Sequence, residues 1–215
     1  MEHIPQEAIA AFISACHDVA ARNLVRCSSG NMSRRLDNNR MLVTASRSWM
    51  ERLGETDVTA CQVSSGAVLH GNKPSVELGF HHGILRKYTN VNVVLHFQSP
   101  AATTVACMPT NNIDFNVIPE VPYYIGPVAR IPFILPGSEE LAAAVVGAME
   151  NHTLVILTNH GLVAVGAGYK QVIQIAEFFE FACGIFLRGN GGGSRIPHGD
   201  AQELLKLGES GAVPV

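Results

Sequence analysis

The chain reads as one α/β domain over residues 1–215, on three observations. Short apolar runs of strand length, such as VNVVLHF (91–97) and TLVIL (153–157), alternate with longer stretches of helical periodicity. Apolar residues make up 47% of 215 and charged residues only 15%, enough for a sizeable core and a partly covered surface. No internal repeat and no interdomain linker interrupts the alternation.

The elements follow in order. Residues 5–23 set Ile9, Phe12, Ile13, Cys16, Val19 and Ala20 at helical spacing, with Pro5 suited to the first turn. LVRCSSGNMSRR is a polar loop that enters a strand near Gly30 and Asn31. MLVTAS (41–46) reads as a short strand ending in hydroxyls, and 54–66 as turns and edge strands. KPSVELGFHHGILRKY (73–88) passes from Pro74-Ser75 into a helix that places Glu77 in its first turn. The strand VNVVLHF and a helix through AATTVACM come next. The Pro-rich stretch 109–136 predicts loops and short strands. Ser138 is a good N-cap for a helix over 139–150. TLVILTNHGLVAVG (153–166) reads as strand, polar turn, strand. A long helix fills 169–188, and 189–215 is expected to be a flexible tail with a short helix near 200–208.

Composition narrows the function. The net charge is −3 with no Lys/Arg block, so nucleic acid and anionic membrane are poor partners. The five cysteines are scattered and form no CxxC, which favours a reducing cytoplasm. The N-terminal stretch lacks the basic and apolar regions of a signal peptide, and no apolar run reaches membrane-span length.

Four polar signals stand at the ends of apolar elements. His96 and Gln98 are two apart at a strand end, so both side chains can face one object. His160 lies on a tight turn before Gly161, where a ring is held rigidly enough to ligate. Glu77 begins a helix, where the dipole favours a carboxylate. Ser28 to Asn31, Thr44 to Arg47 and Ser75 offer hydroxyls, a glycine, an amide and a guanidinium, a set that suits an oxyanion. Each has an ordinary alternative: a satisfied buried pair, a strand cap, a surface acid or plain turn chemistry. His81, four residues after Glu77 on the same helix face, reads as a surface contact first and a metal pair with Glu77 second.

The order of these signals is more specific than any one. S-x-G-N near 30, T-x-S near 45, P-S-x-E near 75, V-V-x-H near 95 and N-H-G near 160 together resemble the class II aldolase/adducin family over about residues 5–190. The resemblance implies a three-layer α/β/α fold with a mainly antiparallel central sheet, and a homotetramer with active sites at subunit interfaces. It implies a divalent metal, zinc by preference, held by a His-x-His and the N-H-G histidine. Here His96 and His160 match, while Gln98 stands at the position of the second histidine, which makes manganese or magnesium alternatives. The acid/base carboxylate maps to Glu77, and the phosphate cradle to Gly30, Asn31, Ser46, Arg47 and Ser75. Ser-Val-Glu replaces the usual Ser-Ser-Glu, and Ser46-Arg47 the usual Thr-Gly. The family's tyrosine has no match, since Tyr123 and Tyr124 lie several residues too far along. The implied activity is metal-dependent aldol cleavage of a small phosphorylated ketose through a stabilised enediolate. An epimerase, a dehydratase and a metal-free oligomeric binding module are the alternatives.

Overall fold

The computed structural model describes residues 4–109 and 113–210. Eight strands form one sheet: β1 (Asn31–Arg35), β2 (Arg40–Thr44), β3 (Val58–Gln62), β4 (Val68–His70), β5 (Val93–Phe97), β6 (Val128–Ile131), β7 (Leu154–Leu157) and β8 (Gly161–Gly166). Their spatial order is β4-β3-β2-β1-β5-β8-β7-β6. Neighbours pair antiparallel except β6 with β7, which run parallel and are joined by a helical crossover.

Helices cover both faces. α1 (Gln6–Ala21), α3 (Pro100–Ala106) and α5 (Tyr169–Arg188) pack on one, α2 (Leu78–Lys87) and α4 (Glu139–Ala148) on the other. The strand period of two sorts the side chains. In β5, Val93, Leu95 and Phe97 join the first core with Phe12, Val105 and Phe179. Val94 points the other way, into the core of Phe80, Ile84 and Leu141. The expectation of three layers on a mainly antiparallel sheet holds.

Side chains from distant elements pin the helices that flank the sheet's polar end. Glu180 accepts from the backbone N–H groups of Ala101 and Ala102, both at 2.8 Å, and so caps the start of α3. Arg130 donates to the carbonyls of Ala106 (2.7 Å) and Met108 (2.8 Å) at its end. Arg35 likewise donates to the carbonyls of Leu85, Tyr88 and Val91 beyond α2. Ser138 caps α4 by accepting from Leu141 N–H at 3.1 Å. The Pro-rich stretch contributes β6 and a wide helical turn, Val121–Ile125, while positions 110–112 lie outside the described residues. A last helix, α6 (His198–Ser210), packs on that turn; a Cβ at Gly208 would fall 1.9 Å from the Tyr123 carbonyl oxygen. All five cysteines are free. Among the described residues no helix is long and apolar enough to cross a membrane.

Candidate active site

The polar ends of β1, β5 and the β7–β8 turn meet the start of α2. Asn31 sits opposite His96 in the β1–β5 ladder, so the two lie at the same level of the sheet. His160 occupies the β7–β8 turn. Its N–H donates to Leu157 O at 3.1 Å, and Asn159 takes a left-handed conformation with φ 56°. Gly161 is required beside it: a Cβ there would lie 2.7 Å from Phe97 O and 3.0 Å from His96 Cε1. Glu77 precedes α2 rather than lying inside its first turn. It makes no capping bond to the helix, so its carboxylate is free to face the site. Ser75 is buried and tied to Thr44 by N–H to carbonyl at 3.0 Å, and Ser46 to Lys73 at 2.8 Å, which brings the two hydroxyl-bearing stretches together.

Glu77, His96 and His160 converge. One donor atom from each lies within 4.8 Å of the others. His96 Nε2 is 3.4 Å from Glu77 Oε2, and His160 Nε2 is 3.4 Å from Glu77 Oε1. His96 Nδ1 is 2.9 Å from the Leu162 carbonyl, which only accepts, so Nδ1 carries a proton and Nε2 is the ring atom turned toward the carboxylate. Among the described residues Glu77 Oε1 and His160 Nδ1 are buried without hydrogen-bond partners. Burial, and next the neighbouring His96, lower the pKa of His160, while Glu77 raises it; the net shift favours the neutral ring. Buried polar atoms left without partners are unfavourable, and a cation among Glu77, His96 and His160 would satisfy them. Each histidine nitrogen lies 3.4 Å from a different Glu77 oxygen, and one donor atom from each residue lies within 4.8 Å of the others, so the residues present can hold a divalent ion.

The residues that the family resemblance assigns to the site line one cavity of about 290 Å³: Glu77, His96, Gln98 and His160 with Gly30, Asn31, Ser46, Arg47 and Ser75. Ser28, Ser29 and Ser48 add further hydroxyls. Gly30 has φ +74°, and a Cβ there would come within 2.8 Å of His96 O. A larger cavity, about 730 Å³ between α1 and β2 to β4, is lined by aliphatic and polar residues alike and includes none of the three clustered residues.

His81 is not the surface contact its spacing suggested. It is fully buried, with its pKa lowered to about 3, first by burial and then by His96 and His82. Its Nδ1 is 2.8 Å from Ser33 Oγ and its Nε2 2.5 Å from Asn31 Oδ1. Asn31 Nδ2 in turn donates to Glu77 Oε2 at 2.9 Å. The signals were present: Ser33 follows Asn31 by two on a strand, and His81 follows Glu77 by four across a helix start.

A model of the class II aldolase and adducin N-terminal domain matches residues 10–187. The chain belongs to this family. It is 31% identical over 163 residues to a 3-oxo-tetronate 4-phosphate decarboxylase from Haemophilus influenzae, covering 74% of this chain and 76% of that protein. It is 32% identical over 148 residues to a 5-deoxy-D-ribulose 1-phosphate aldolase from Bacillus thuringiensis, covering 66% and 67%. Among solved structures an L-fuculose 1-phosphate aldolase superposes with a TM-score of 0.84 at 21% identity, over 94% of this chain and 96% of that one.

Two departures from the class II aldolase pattern sit in the cavity. Gln98 Nε2 donates to the His160 carbonyl at 2.6 Å, so the amide braces the turn that carries His160 and leaves Oε1 as the atom it can offer a cation. Arg47 stands in place of glycine yet keeps a glycine-like backbone, with φ 65°, and its side chain is exposed at the cavity wall. A non-glycine residue held there stores strain of about 1–2 kcal/mol.

Proposed function

We propose that this chain is a divalent-metal-dependent carbon–carbon lyase acting on a small sugar phosphate, with aldol cleavage of a ketose phosphate as its leading reaction. The observation that carries the reading is the buried Glu77–His96–His160 cluster, whose Glu77 Oε1 has no partner among the described residues. His96 and His160 would hold the ion, with Glu77 or Gln98 Oε1 completing the set. Zinc is the first choice, and Gln98 opens the set to manganese or magnesium. When bound, such an ion supplies a Lewis acid for the charge that develops on a substrate oxygen.

The chain's own residues do the rest. Glu77, buried beside the cluster, takes or returns the proton at the reacting carbon or hydroxyl. Gly30 N–H, Ser46, Ser75 and Arg47 anchor the phosphate, so binding energy at a remote group orients the reacting carbons. A homotetramer with sites at subunit interfaces, in the cytoplasm, is the setting this reading carries with it.

Decarboxylation of a phosphorylated 3-oxo acid is the second reading, favoured by the Haemophilus relative. Both reactions leave an electron pair beside a carbonyl, and they differ in whether an aldehyde or CO2 departs. Epimerisation and dehydration use the same carboxylate and differ in the bond broken. The test is metal analysis of gently purified protein, followed by product analysis on ketose phosphates and phosphorylated 3-oxo acids. About one divalent ion per chain and chelator-sensitive release of an aldehyde are expected. Protein that carries no metal, gains no thermal stability from zinc, manganese or magnesium and ignores chelator would be a metal-free binding module instead.

A further inference from the structure

We propose that Asn31, His81 and Ser33 are positioning residues: a buried chain of hydrogen bonds that fixes how the Glu77 carboxylate faces His96 and His160. This rests on the reading of Glu77 as a member of the metal and acid/base site. It also gives Asn31 a role at Glu77 beside its place in the phosphate cradle.

The direction of every bond in the chain is forced. Glu77 Oε2 as a carboxylate oxygen only accepts, so Asn31 turns its NH2 toward it, at 2.9 Å. The Asn31 oxygen then faces His81 Nε2 at 2.5 Å and demands a proton there. A neutral ring protonated on Nε2 has its lone pair on Nδ1, which accepts from the Ser33 hydroxyl at 2.8 Å. Burial keeps His81 neutral, so the polarity does not reverse at ordinary pH. Without His81, the Asn31 oxygen would lose its donor, and the amide that reaches the carboxylate would be held at one end only. Both ends of the Asn31 side chain are thereby engaged, which leaves the second N–H of its NH2 for a substrate anion.

The chain also explains an asymmetry at Glu77. Oε2 is anchored by Asn31, while Oε1, 3.4 Å from His160 Nε2, has no hydrogen-bond partner. One oxygen fixes the orientation so that the other is presented. All four side chains are buried, so no bulk water can substitute for a lost partner.

Two measurements test this. The first is the His81 imidazole 15N spectrum of the metal-free protein. It should show a neutral ring with an exchange-protected proton on Nε2, and the protection should be lost in N31L. A proton on Nδ1, or a protected Nε2 proton unchanged in N31L, overturns the proposal. The second is Mn2+ and Zn2+ titration calorimetry on wild type, H81F, E77Q and the double variant. Hydrogen-bond partners of metal ligands typically matter by about 10–100-fold in affinity. H81F should weaken binding by that factor, and by nothing further once Glu77 is already Gln. An unchanged affinity in H81F, or an equal loss in the E77Q background, overturns the proposal; S33A and N31L serve if H81F does not fold. If wild type itself takes up neither ion, the metal reading falls and the 15N spectrum alone decides the relay.

Discussion

Gly161→Ala tests how tightly the β7–β8 turn is fitted against the end of β5. The added Cβ would sit 2.7 Å from Phe97 O, 2.8 Å from Gln98 Cγ and 3.0 Å from His96 Cε1. Ordinary van der Waals contact begins at about 3.4 Å, so the overlap with the Phe97 carbonyl is roughly 0.7 Å. That carbonyl belongs to backbone paired in the β5–β8 ladder, where Phe97 faces Leu162, so it cannot swing aside as a side chain would. The strands must separate locally or the turn must tilt. Overpacking of this kind costs about 1–3 kcal/mol. For a chain of this size each kcal/mol lowers Tm by about 2–4 °C, so the variant should melt about 2–12 °C lower. Because the clash also involves the His96 ring and the stem of Gln98, metal affinity should fall as well. Differential scanning calorimetry with and without chelator, and metal titration, measure the two effects. A Gly161→Ala protein with wild-type Tm and wild-type metal affinity would refute the claim that this glycine lets His160 approach His96.

Two further outcomes follow from single residues. Arg47→Gly relieves a left-handed side chain and removes an exposed guanidinium from the cavity wall. Stability should stay within about 1 kcal/mol of wild type, while KM for a sugar phosphate rises about 10–100-fold, the worth of a charge-assisted hydrogen bond; an unchanged KM would remove Arg47 from anion binding. The pH dependence of stability should carry a mark of His81. Its folded pKa, about 3, lies below the unfolded value of about 6.5, so between those values the unfolded chain binds more protons. Stability from this group is therefore complete above pH 6.5 and lost as pH falls toward 3. Urea unfolding of wild type and H81F across that window should show a shallower slope in the variant, and parallel curves would contradict the burial of a neutral His81.

What the sequence disclosed depended on whether a residue's role was local. β5, β7, β8, α4 and α5 were readable because short apolar runs and helical spacing are local signals. The residues lining the cavity were readable because each is a polar group at the end of an apolar element. Depth was not readable. The i+4 spacing of His81 from Glu77 names a helix face, and only packing against β1 makes that face buried. Likewise β6 is four partly buried residues between Pro127 and Pro132, and only its parallel pairing with β7 makes it a strand. The 198–210 segment looked like tail because its amphipathic face has no local partner; the partner is the Val121–Ile125 turn, more than seventy residues earlier.

Gln98 shows why one substitution in a family pattern need not mean a decayed site. An imidazole at 98 would offer a cation one nitrogen. The amide offers two different atoms at once: its nitrogen already holds the His160 carbonyl at 2.6 Å, and its oxygen is left over. A loss of ligand strength at 98 is thus coupled to a gain in rigidity at 160, whose turn is also held by bonds to the carbonyls of Leu157, Ala106 and Ile131. Glu77 strengthens the same logic. Its Oε1, oriented through Asn31 yet itself unpartnered, lies 3.4 Å from His160 Nε2 and offers an oxygen beside the two histidines. On the proposed reading the set would change from three nitrogens to two nitrogens with oxygens. That shift moves selectivity toward harder cations without abandoning zinc. On that reading the same carboxylate cannot be a permanent ligand and a free base at once, so metal affinity and proton transfer would compete for Glu77, and the proposed Asn31–His81–Ser33 chain would hold it between them.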